Sequence, residues 1–293
     1  MQRFAYSESD VRELSGTVEE RFDGIRISDY LKMGLGLSVT LVKRVKLGGV
    51  FINGENVHMR ALVHTGDEVL VKLPSEASDG IRAIDMPLDI VYEDEYIIAV
   101  SKPSGMPTHP SRGNSLPTLA EGIMAYFKDE KFVFRAINRL DRDTSGIVII
   151  AKDAITAHKL SLQMKEGGYK KKYYAIVCGV PCPTEGTVDA PIERECEGGM
   201  RRCVREGGKA AMSDYRVLRT LPSGNSLCEI TLHTGRTHQI RVHMAYIGHP
   251  LYADFLYGER VEGENYKLHA REIGFVHPMT GERLELISKC DFE

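Results

Sequence analysis

The sequence predicts an α+β protein that consists of a small N-terminal unit and a larger second unit. Near the N-terminus, apolar residues recur at helical spacing and are followed by a strand pattern. A polar, turn-rich stretch at residues 74–80 then interrupts the hydrophobic patterning, and beyond it helices alternate with many short strands. We therefore predict one domain at residues 1–75, a linker at residues 76–80 and a second domain at residues 81–293.

Length and charge limit the classes of function. A chain of 293 residues can bury one large core and a second, smaller one. A net charge of −3 excludes a surface that is basic all over, so any nucleic-acid contact must come from local patches. The sequence contains no apolar run of the roughly 18 residues that a membrane span needs, and its start lacks a secretory apolar stretch, so we expect a cytoplasmic protein without a membrane partner.

Two short helices are predicted in the N-terminal unit. Their apolar positions are Ile27, Tyr30, Leu31 and Leu35 in the first helix and Leu41, Val42 and Val45 in the second. Ser38 can cap the second helix. Winding that helix at about 100° per residue places Lys43 and Lys46 opposite its apolar side and Arg44 on the flank. The outer face of the second helix is therefore predicted to be basic.

The helices are followed by a predicted hairpin. Residues 50–55 form an apolar strand that runs into an Asn53-Gly54 turn, and residues 67–72 are predicted as the returning strand. Over about residues 23–73 this arrangement resembles an S4 domain, a small RNA-binding module. The resemblance implies that the three cations of the second helix contact RNA, whereas a merely solvated helix face is the alternative.

The second unit is predicted to contain a mixed, mostly antiparallel sheet with a central cleft. The predicted strands cover residues 89–92, 96–100, 147–150, 173–177, 212–218 and 226–232. Thr118 and Glu121 form a capping box that opens one helix, and Asp153 can cap another that Gly167 stops. Thr237 can cap a third helix, which Gly248 ends.

A charged loop at residues 138–146 leads directly into the buried strand at residues 147–150. Polar side chains at the ends of strands often form functional sites. Asp141 and Asp143 are both candidate nucleophiles or bases, and the alternative for each is a turn-forming aspartate that binds its own backbone. Spacing does not choose between the two.

Three motifs in one order resemble those of the RluA family of RNA pseudouridine synthases. They are Arg139-Leu140-Asp141-x-x-Thr144-Ser145-Gly146 with the strand that follows it, Lys171 to Gly179, and Gly235 to His243. Further similarities at residues 102–110, 249–254 and 277–282 extend the match over roughly residues 88–287. Any one of these motifs is a moderate signal, but the ordered set is a strong one.

The resemblance implies an enzyme that isomerises uridine in RNA without a cofactor. It selects Asp141 as the nucleophile, and the atom that Asp141 attacks stays open. It further implies that Tyr173 stacks on the target base and takes part in proton transfer, and that Arg241 holds Asp141 in a charge-assisted fork. Tyr174 alternates to the other face of its strand, and we predict it as the core residue of the pair.

Several basic residues are predicted to contact RNA. Arg139 matches the family's arginine that occupies the space of an extruded base, with a phosphate anchor as its alternative. The other predicted RNA contacts in the second unit are Lys171, Lys172, Arg236 and His238. A cluster at Arg201, Arg202, Arg205 and Lys209 either lines a groove for the strand or belongs to solvated hairpins.

Two rival functions and one substrate alternative remain at this stage. The rivals are a non-catalytic RNA-binding or ribosome assembly factor with the same fold, and an aspartate-dependent hydrolase that would need a metal cluster. The five-residue spacing of His233, His238 and His243 does not match a helical metal-binding pair, so we expect no metal. Large-subunit ribosomal RNA is the favoured substrate, transfer RNA is the alternative, and we expect a monomer. Asn138 stands where the family usually has histidine, with an effect left open.

Overall fold

The computed structural model describes residues 3–6, 12–73, 80–111 and 115–293. The described residues form a five-stranded sheet, a nine-stranded sheet and a separate two-stranded hairpin. The predicted linker lies outside the described residues except for Gly80, so the domain boundaries stay a prediction. No helix among the described residues is both long enough and apolar enough to cross a bilayer.

The N-terminal unit packs two short helices against one antiparallel sheet. In chain order its elements are β1 (Arg3–Tyr6), β2 (Arg12–Thr17), a 3-10 turn (Glu20–Phe22), α1 (Ile27–Met33), α2 (Val39–Val45), β3 (Val50–Ile52), β4 (Glu55–Asn56) and β5 (Glu68–Leu73). The strands lie in the order β1-β2-β5-β3-β4. The sequence patterns did not predict β1 and β2, which form one side of this sheet.

The structure confirms the predicted faces of α2. Ser38 caps the helix by accepting a hydrogen bond from the backbone N–H of Leu41 at 3.2 Å. Leu41 and Val45 are buried in the core of the N-terminal unit. Lys43, Arg44 and Lys46 are exposed. The outer face of α2 therefore carries three cations, and their contact with RNA stays a prediction.

The predicted antiparallel pairing of residues 67–72 with residues 50–52 is confirmed, but the Asn-Gly turn does not join these two strands. Asn53 and Gly54 adopt positive φ values of 50° and 85° and turn β3 directly into the two-residue strand β4. The predicted returning strand, β5, instead pairs with the other edge of β3 and also with β2. The Asn-Gly turn determines only the local hairpin, whereas the position of β5 depends on packing across the sheet.

The second unit is built on the nine-stranded sheet. Its elements are β6 (Asp89–Glu93), β7 (Ile97–Lys102), α3 (Leu119–Tyr126), β8 (Ser145–Ala151), α4 (Ala154–Lys165), β9 (Lys170–Val177), β10 (Glu185–Asp189), β11 (Ile192–Arg194), β12 (Arg202–Val204), β13 (Met212–Thr220), β14 (Ser226–Leu232), α5 (Gln239–Tyr246), β15 (Leu268–Val276) and β16 (Arg283–Ile287). The strand order is β10-β13-β14-β9-β15-β8-β7-β6, with β16 beside β15. All described pairs are antiparallel except β15 with β8, as the mostly antiparallel prediction requires.

Strand β8 separates two hydrophobic cores. Val148 and Ile150 pack in the core that contains α3, whereas Ile147 and Ile149 pack in the core that contains Leu160 of α4. This alternation with burial on both faces explains the continuous apolar run of the strand. The capping box of α3 and the Asp153 cap of α4 are both confirmed.

The start of α4 connects the two units. Ile155, in the first turn of α4, is fully buried in the core of the N-terminal unit, and Ala154 packs beside it. Burying one such side chain stabilises a contact by about 1.5–3 kcal/mol. The N-terminal unit is therefore docked on the same helix that covers the back of β8.

Candidate active site

The candidate catalytic loop, residues 138–146, begins where the chain pairs with β8. The backbone N–H of Ile137 donates to the carbonyl of Ile149 at 2.8 Å. Asn138 then continues this ladder with its side chain, which donates from Nδ2 to the carbonyl of Ile147 and accepts at Oδ1 from the N–H of Ile149, both at 2.9 Å. The Asn138 amide thus replaces backbone pairing at the point where the chain turns away from β8.

The loop ends at Gly146, where the structure requires a glycine. Gly146 has a φ of +106°, and a Cβ atom there would lie 2.3 Å from the carbonyl oxygen of Ala270. Ala270 pairs with Gly146, and His269 with Ser145, where β15 and β8 run parallel. The Thr-Ser-Gly end of the motif therefore permits β15 to approach the loop closely.

Lys102, the last residue of β7, connects this strand to the catalytic loop through hydrogen bonds. This fully buried side chain donates from Nζ to the carbonyls of Pro103, Met106 and Arg142 at 2.8, 2.7 and 3.0 Å. Burial lowers the pKa of Lys102 to about 8, against the opposing charges of Asp143 and Asp141. Three carbonyl acceptors match the three hydrogens of an ammonium group, so Lys102 acts here as a cation at neutral pH.

The two candidate aspartates have different surroundings. Asp143 is buried, and its two oxygens accept hydrogen bonds from Nε and Nη2 of Arg142 at 2.8 and 2.9 Å. The side chain of Asp141 is 32% exposed, and among the described residues its contacts are longer ones, to Nη1 of Arg241 at 3.5 Å and to Nε2 of His238 at 3.7 Å. Asp141 is therefore the carboxylate that is open to an incoming group.

Arg241 lies in α5 and binds a different aspartate from the one we predicted. Its guanidinium forms a fork with Asp254, from Nε to Oδ2 at 2.7 Å and from Nη2 to Oδ1 at 2.8 Å. The predicted fork with Asp141 is thus wrong in its geometry, and the remaining nitrogen Nη1 faces Asp141. Burial alone lowers the pKa of Arg241, but the hydrogen bonds and charge of Asp254 outweigh it, so the pKa is raised.

Aromatic rings surround the Arg241 guanidinium. Its carbon atom lies 4.3 Å from the ring centre of Tyr266, 5.0 Å from that of Tyr257 and 6.0 Å from that of Phe255. The hydroxyl of Tyr266 lies 3.2 Å from that of Thr144 in the catalytic loop. Burial, with a further contribution from the charge of Asp141, raises the pKa of Tyr266, so this phenol stays protonated at neutral pH.

Tyr173 lies on β9, on the face of the sheet that carries the α3 core. It is 9% exposed, whereas Tyr174 faces the other side, is only partly buried and lies under Arg271 at 5.7 Å. The prediction that Tyr174 is the core residue of the pair is therefore wrong. Burial and the charge of Asp141 raise the pKa of Tyr173, so the side chain is a neutral phenol near the carboxylate.

The predicted RNA contacts of the second unit lie on both faces of the sheet. The side chain of Lys171 faces the same side as Tyr173 and makes no hydrogen bond or ion pair within the described ranges. Lys172 faces the opposite side, where it lies 3.4 Å from Glu229 and 3.5 Å from Glu272. Arg139 is exposed in the catalytic loop, and Arg236 is exposed with its Nε bound to the carbonyl of Ala210 at 2.9 Å. Lys171 therefore lies on the face of β9 that carries Tyr173, whereas Lys172 lies on the opposite face.

Helix α5 begins differently from the prediction. Thr237 does not cap it; the N-terminal flanking residue is His238, which has a φ of +59° and makes no side-chain cap. The side chain of Gln239 instead accepts hydrogen bonds from the N–H of Arg236 at 2.9 Å and from the hydroxyl of Thr234 at 2.7 Å. The left-handed turn at His238 directs its ring toward Asp141.

Comparisons with known proteins agree with this geometry. The RNA pseudouridylate synthase family matches residues 96–246, which is more than half of the chain. The chain belongs to the RluA family of RNA pseudouridine synthases. It is 39% identical over 256 residues to YjbO of Bacillus subtilis, an uncharacterized RNA pseudouridine synthase, covering 85% of this chain and 90% of that protein.

Two further relatives support the assignment. The synthase is 36% identical over 258 residues to ribosomal large subunit pseudouridine synthase D of Pseudomonas aeruginosa, covering 82% of this chain and 80% of that protein. The solved structure of human RNA pseudouridylate synthase domain containing 1 aligns with a TM-score of 0.61 at 28% identity, over 71% of this chain and 85% of that one. The synthase is thus an isomerase that converts uridine to pseudouridine in RNA.

Sequence reasoning missed three residues of this site. Asp254 was part of a matched segment, but nothing in its spacing indicated that it binds Arg241. Tyr257 lies just beyond the same segment, and its short spacing from Asp254 was the available signal. Tyr266 lies outside every matched motif, and only the fold brings it to Arg241. Among the described residues, no group of three or more His, Cys, Asp or Glu side chains could hold a metal ion.

The role of Asn138 can be tested with an isosteric change. Asn138→Asp keeps the acceptor for the N–H of Ile149 but loses the donor to the carbonyl of Ile147. We expect the free energy of unfolding to fall by about 1–3 kcal/mol, because a partly buried carbonyl loses its partner and faces a charge. Chemical denaturation measures this, and Asn225→Asp, at a partly exposed position between β13 and β14, is the matched control. Equal stability of Asn138→Asp and wild type would contradict the ladder role.

Proposed function

We propose that the synthase isomerises uridines of large-subunit ribosomal RNA and that Asp141 is its nucleophile. One observation carries the assignment of the nucleophile: Asp141 is the open carboxylate beside a buried arginine that another aspartate already holds. The substrate proposal is supported by the Pseudomonas relative, whose name states that it acts on the large ribosomal subunit. Transfer RNA is the competing substrate.

The reaction needs a nucleophile and proton transfers but no net oxidation. The N1–C1′ bond of the uridine breaks, the C5–C1′ bond forms, C5 loses a proton and N1 gains one. A carboxylate that bonds transiently to the nucleotide and is then released can divide this change into easier steps. Asp141 suits this role because its oxygens are held by no short hydrogen bond among the described residues.

Arg241 and Tyr173 support the nucleophile in different ways. The guanidinium keeps a fixed positive charge 3.5 Å from Asp141, which attracts the carboxylate and steadies its orientation. Tyr173 has a raised pKa, so it presents a neutral ring for stacking on the uracil and a hydroxyl that can donate a proton. It does not act as a phenolate base in its resting state.

The target uridine must leave its base stack to reach Asp141. Arg139 is exposed two residues before the nucleophile, so it can occupy the space that the extruded base vacates. Lys171 supplies a cation on the cleft side of β9, and burial lowers its pKa. We assign Arg139, Lys171, Arg236 and His238 to the RNA cleft, and Lys172 only to the ion pairs on the other face.

Mapping pseudouridines in cells tests both parts of the proposal. Cells that lack the protein should lose pseudouridine at one or more positions of large-subunit ribosomal RNA, and the wild-type gene should restore them. Asp141→Asn should not restore them, because a carboxamide lacks the nucleophilic oxygen, and turnover in vitro should fall by about 10³-fold or more. Asp143→Asn, which breaks the Arg142 fork, should mainly reduce stability.

Two results would contradict the proposal. Full restoration by Asp141→Asn would exclude Asp141 as the nucleophile. Loss of pseudouridine in transfer RNA alone would leave the chemistry intact and overturn the ribosomal substrate.

The N-terminal unit should contribute to RNA affinity and not to chemistry. We propose that it is an S4-like RNA-binding domain whose α2 cations contact phosphates. Changing Lys43, Arg44 and Lys46 together to Gln should weaken RNA binding and reduce the slope of log K against log salt by about 0.7–0.9 per lost contact. Single-turnover rates at saturating RNA should stay close to wild type.

A charge-matched control separates phosphate contact from a general loss of positive charge. Lys128, Lys165 and Arg219 are exposed on the second unit, and their combined change to Gln removes the same charge. This control should keep the wild-type salt slope. Unchanged affinity and slope in the α2 variant would show that its basic face is only solvated.

A further inference from the structure

We propose that His238 is a positioning residue for Asp141 and that the β11–β12 hairpin acts on it through Tyr257. In this arrangement Tyr257 fixes the tautomer of the imidazole so that its Nε2–H points at the nucleophile. The proposal rests on the proposed role of Asp141 and adds a physical connection between a basic hairpin and the reacting carboxylate.

Hydrogen-bond donors and acceptors determine the tautomer. The backbone N–H of Arg202 donates to the hydroxyl oxygen of Tyr257 at 2.8 Å. The same hydroxyl lies 2.8 Å from Nδ1 of His238. Because the phenol oxygen already accepts from Arg202, its O–H donates to Nδ1, which is then an unprotonated acceptor. The neutral ring therefore carries its single hydrogen on Nε2. Nε2 lies 3.7 Å from Oδ2 of Asp141.

A neutral imidazole suits this role better than a cation. Burial lowers the pKa of His238, and the charges of Arg241 and Arg202 lower it further, while Asp141 opposes them. A neutral Nε2–H can orient a carboxylate without forming the strong ion pair that would compete with substrate. The 3.7 Å separation also leaves room for the carboxylate to move when a nucleotide enters.

The backbone holds His238 in a costly conformation for this purpose. A φ of +59° is unfavourable for a residue other than glycine, and such strain is found preferentially at functional sites. Here the strained turn directs the ring between Asp141 and Tyr257, whose ring it meets edge-on at 5.7 Å. A capping role does not explain the turn, because His238 makes no side-chain cap to α5.

The hairpin supplies two arginines around Tyr257. The guanidinium of Arg201 lies 5.7 Å from the ring centre of Tyr257. Nη1 of Arg202 is enclosed, and it has no hydrogen-bond partner in the part of the chain that the structure describes. An RNA phosphate that engages the exposed Arg201 would act directly beside Arg202, whose backbone N–H donates to the Tyr257 hydroxyl. Seating of the RNA strand is thereby linked to the orientation of Asp141.

Tyr257→Phe is the direct test, because it removes the hydroxyl and retains the ring against Arg241 and Arg201. In wild-type protein labelled with ¹⁵N-histidine, the His238 signals, assigned with His238→Gln, should show a protonated Nε2 and a bare Nδ1. In Tyr257→Phe this signature should become a mixture of tautomers. Single-turnover rates at saturating RNA should fall about fivefold to tenfold, the effect of one hydrogen bond, with RNA affinity unchanged.

Further variants separate this role from folding. Tyr246→Phe removes an exposed hydroxyl from α5, the helix that His238 precedes, and should change neither the rate nor the tautomer. His238→Gln retains a neutral donor and should be faster than His238→Leu. A wild-type Nδ1–H tautomer, or a Tyr257→Phe rate equal to wild type in a folded protein, would overturn this proposal. Failure of wild-type protein to form pseudouridine would instead overturn the proposed function, since the tautomer is measured without turnover.

Discussion

Two opposite charges, the guanidinium of Arg241 and the carboxylate of Asp254, lie beneath the candidate nucleophile with side chains only 4% and 0% exposed. Removing such groups from water costs several kcal/mol per ion, and only good geometry with further hydrogen bonds offsets it. Here the two-point fork supplies that geometry. Arg241 is therefore fixed whether or not Asp141 is present, and Asp141 can react without releasing its neighbour.

The same carboxylate organises the neighbouring chain. Asp254 also accepts hydrogen bonds from the N–H groups of Leu256 at 3.0 Å and Tyr257 at 3.2 Å. Ala253, just before it, has a left-handed φ of +62°. These contacts place the ring of Tyr257 against Arg241 and its hydroxyl on His238. One buried ion pair thus sets the positions of an arginine, an aromatic ring and a histidine around Asp141.

Local rules in the sequence predicted the features that depend on local interactions. The apolar spacing of α2, its Ser38 cap and the buried run of β8 were all predicted correctly. Resemblance to a family brought Asp141, Tyr173 and Arg241 together in one proposed site. The period-two rule for strands also implied that Lys171 and Lys172 face opposite sides, although both had been assigned to RNA.

The features that sequence could not predict depend on long-range packing. The sequence contains several aspartates that could pair with Arg241, and only the fold shows that its partner is Asp254. The fold likewise shows that Asp143 pairs with Arg142. Tyr266 lies just before β15 and contacts Arg241, although no sequence motif connects the two residues. The turn at Asn53 was predicted correctly, but it leads into the unpredicted strand β4, while β5 pairs with β3 and with the unpredicted strand β2.

A double-mutant cycle on Arg241 and Asp254 tests most directly whether the buried pair acts as one unit on the nucleophile. Single-turnover rates at saturating RNA would be measured for Arg241→Gln, Asp254→Asn and the double variant, with folding confirmed by chemical denaturation. Since Asp254 acts through Arg241, the double variant should be no slower than the slower single variant. Rate losses that multiply in the double variant would show that the two residues act independently and would contradict this account.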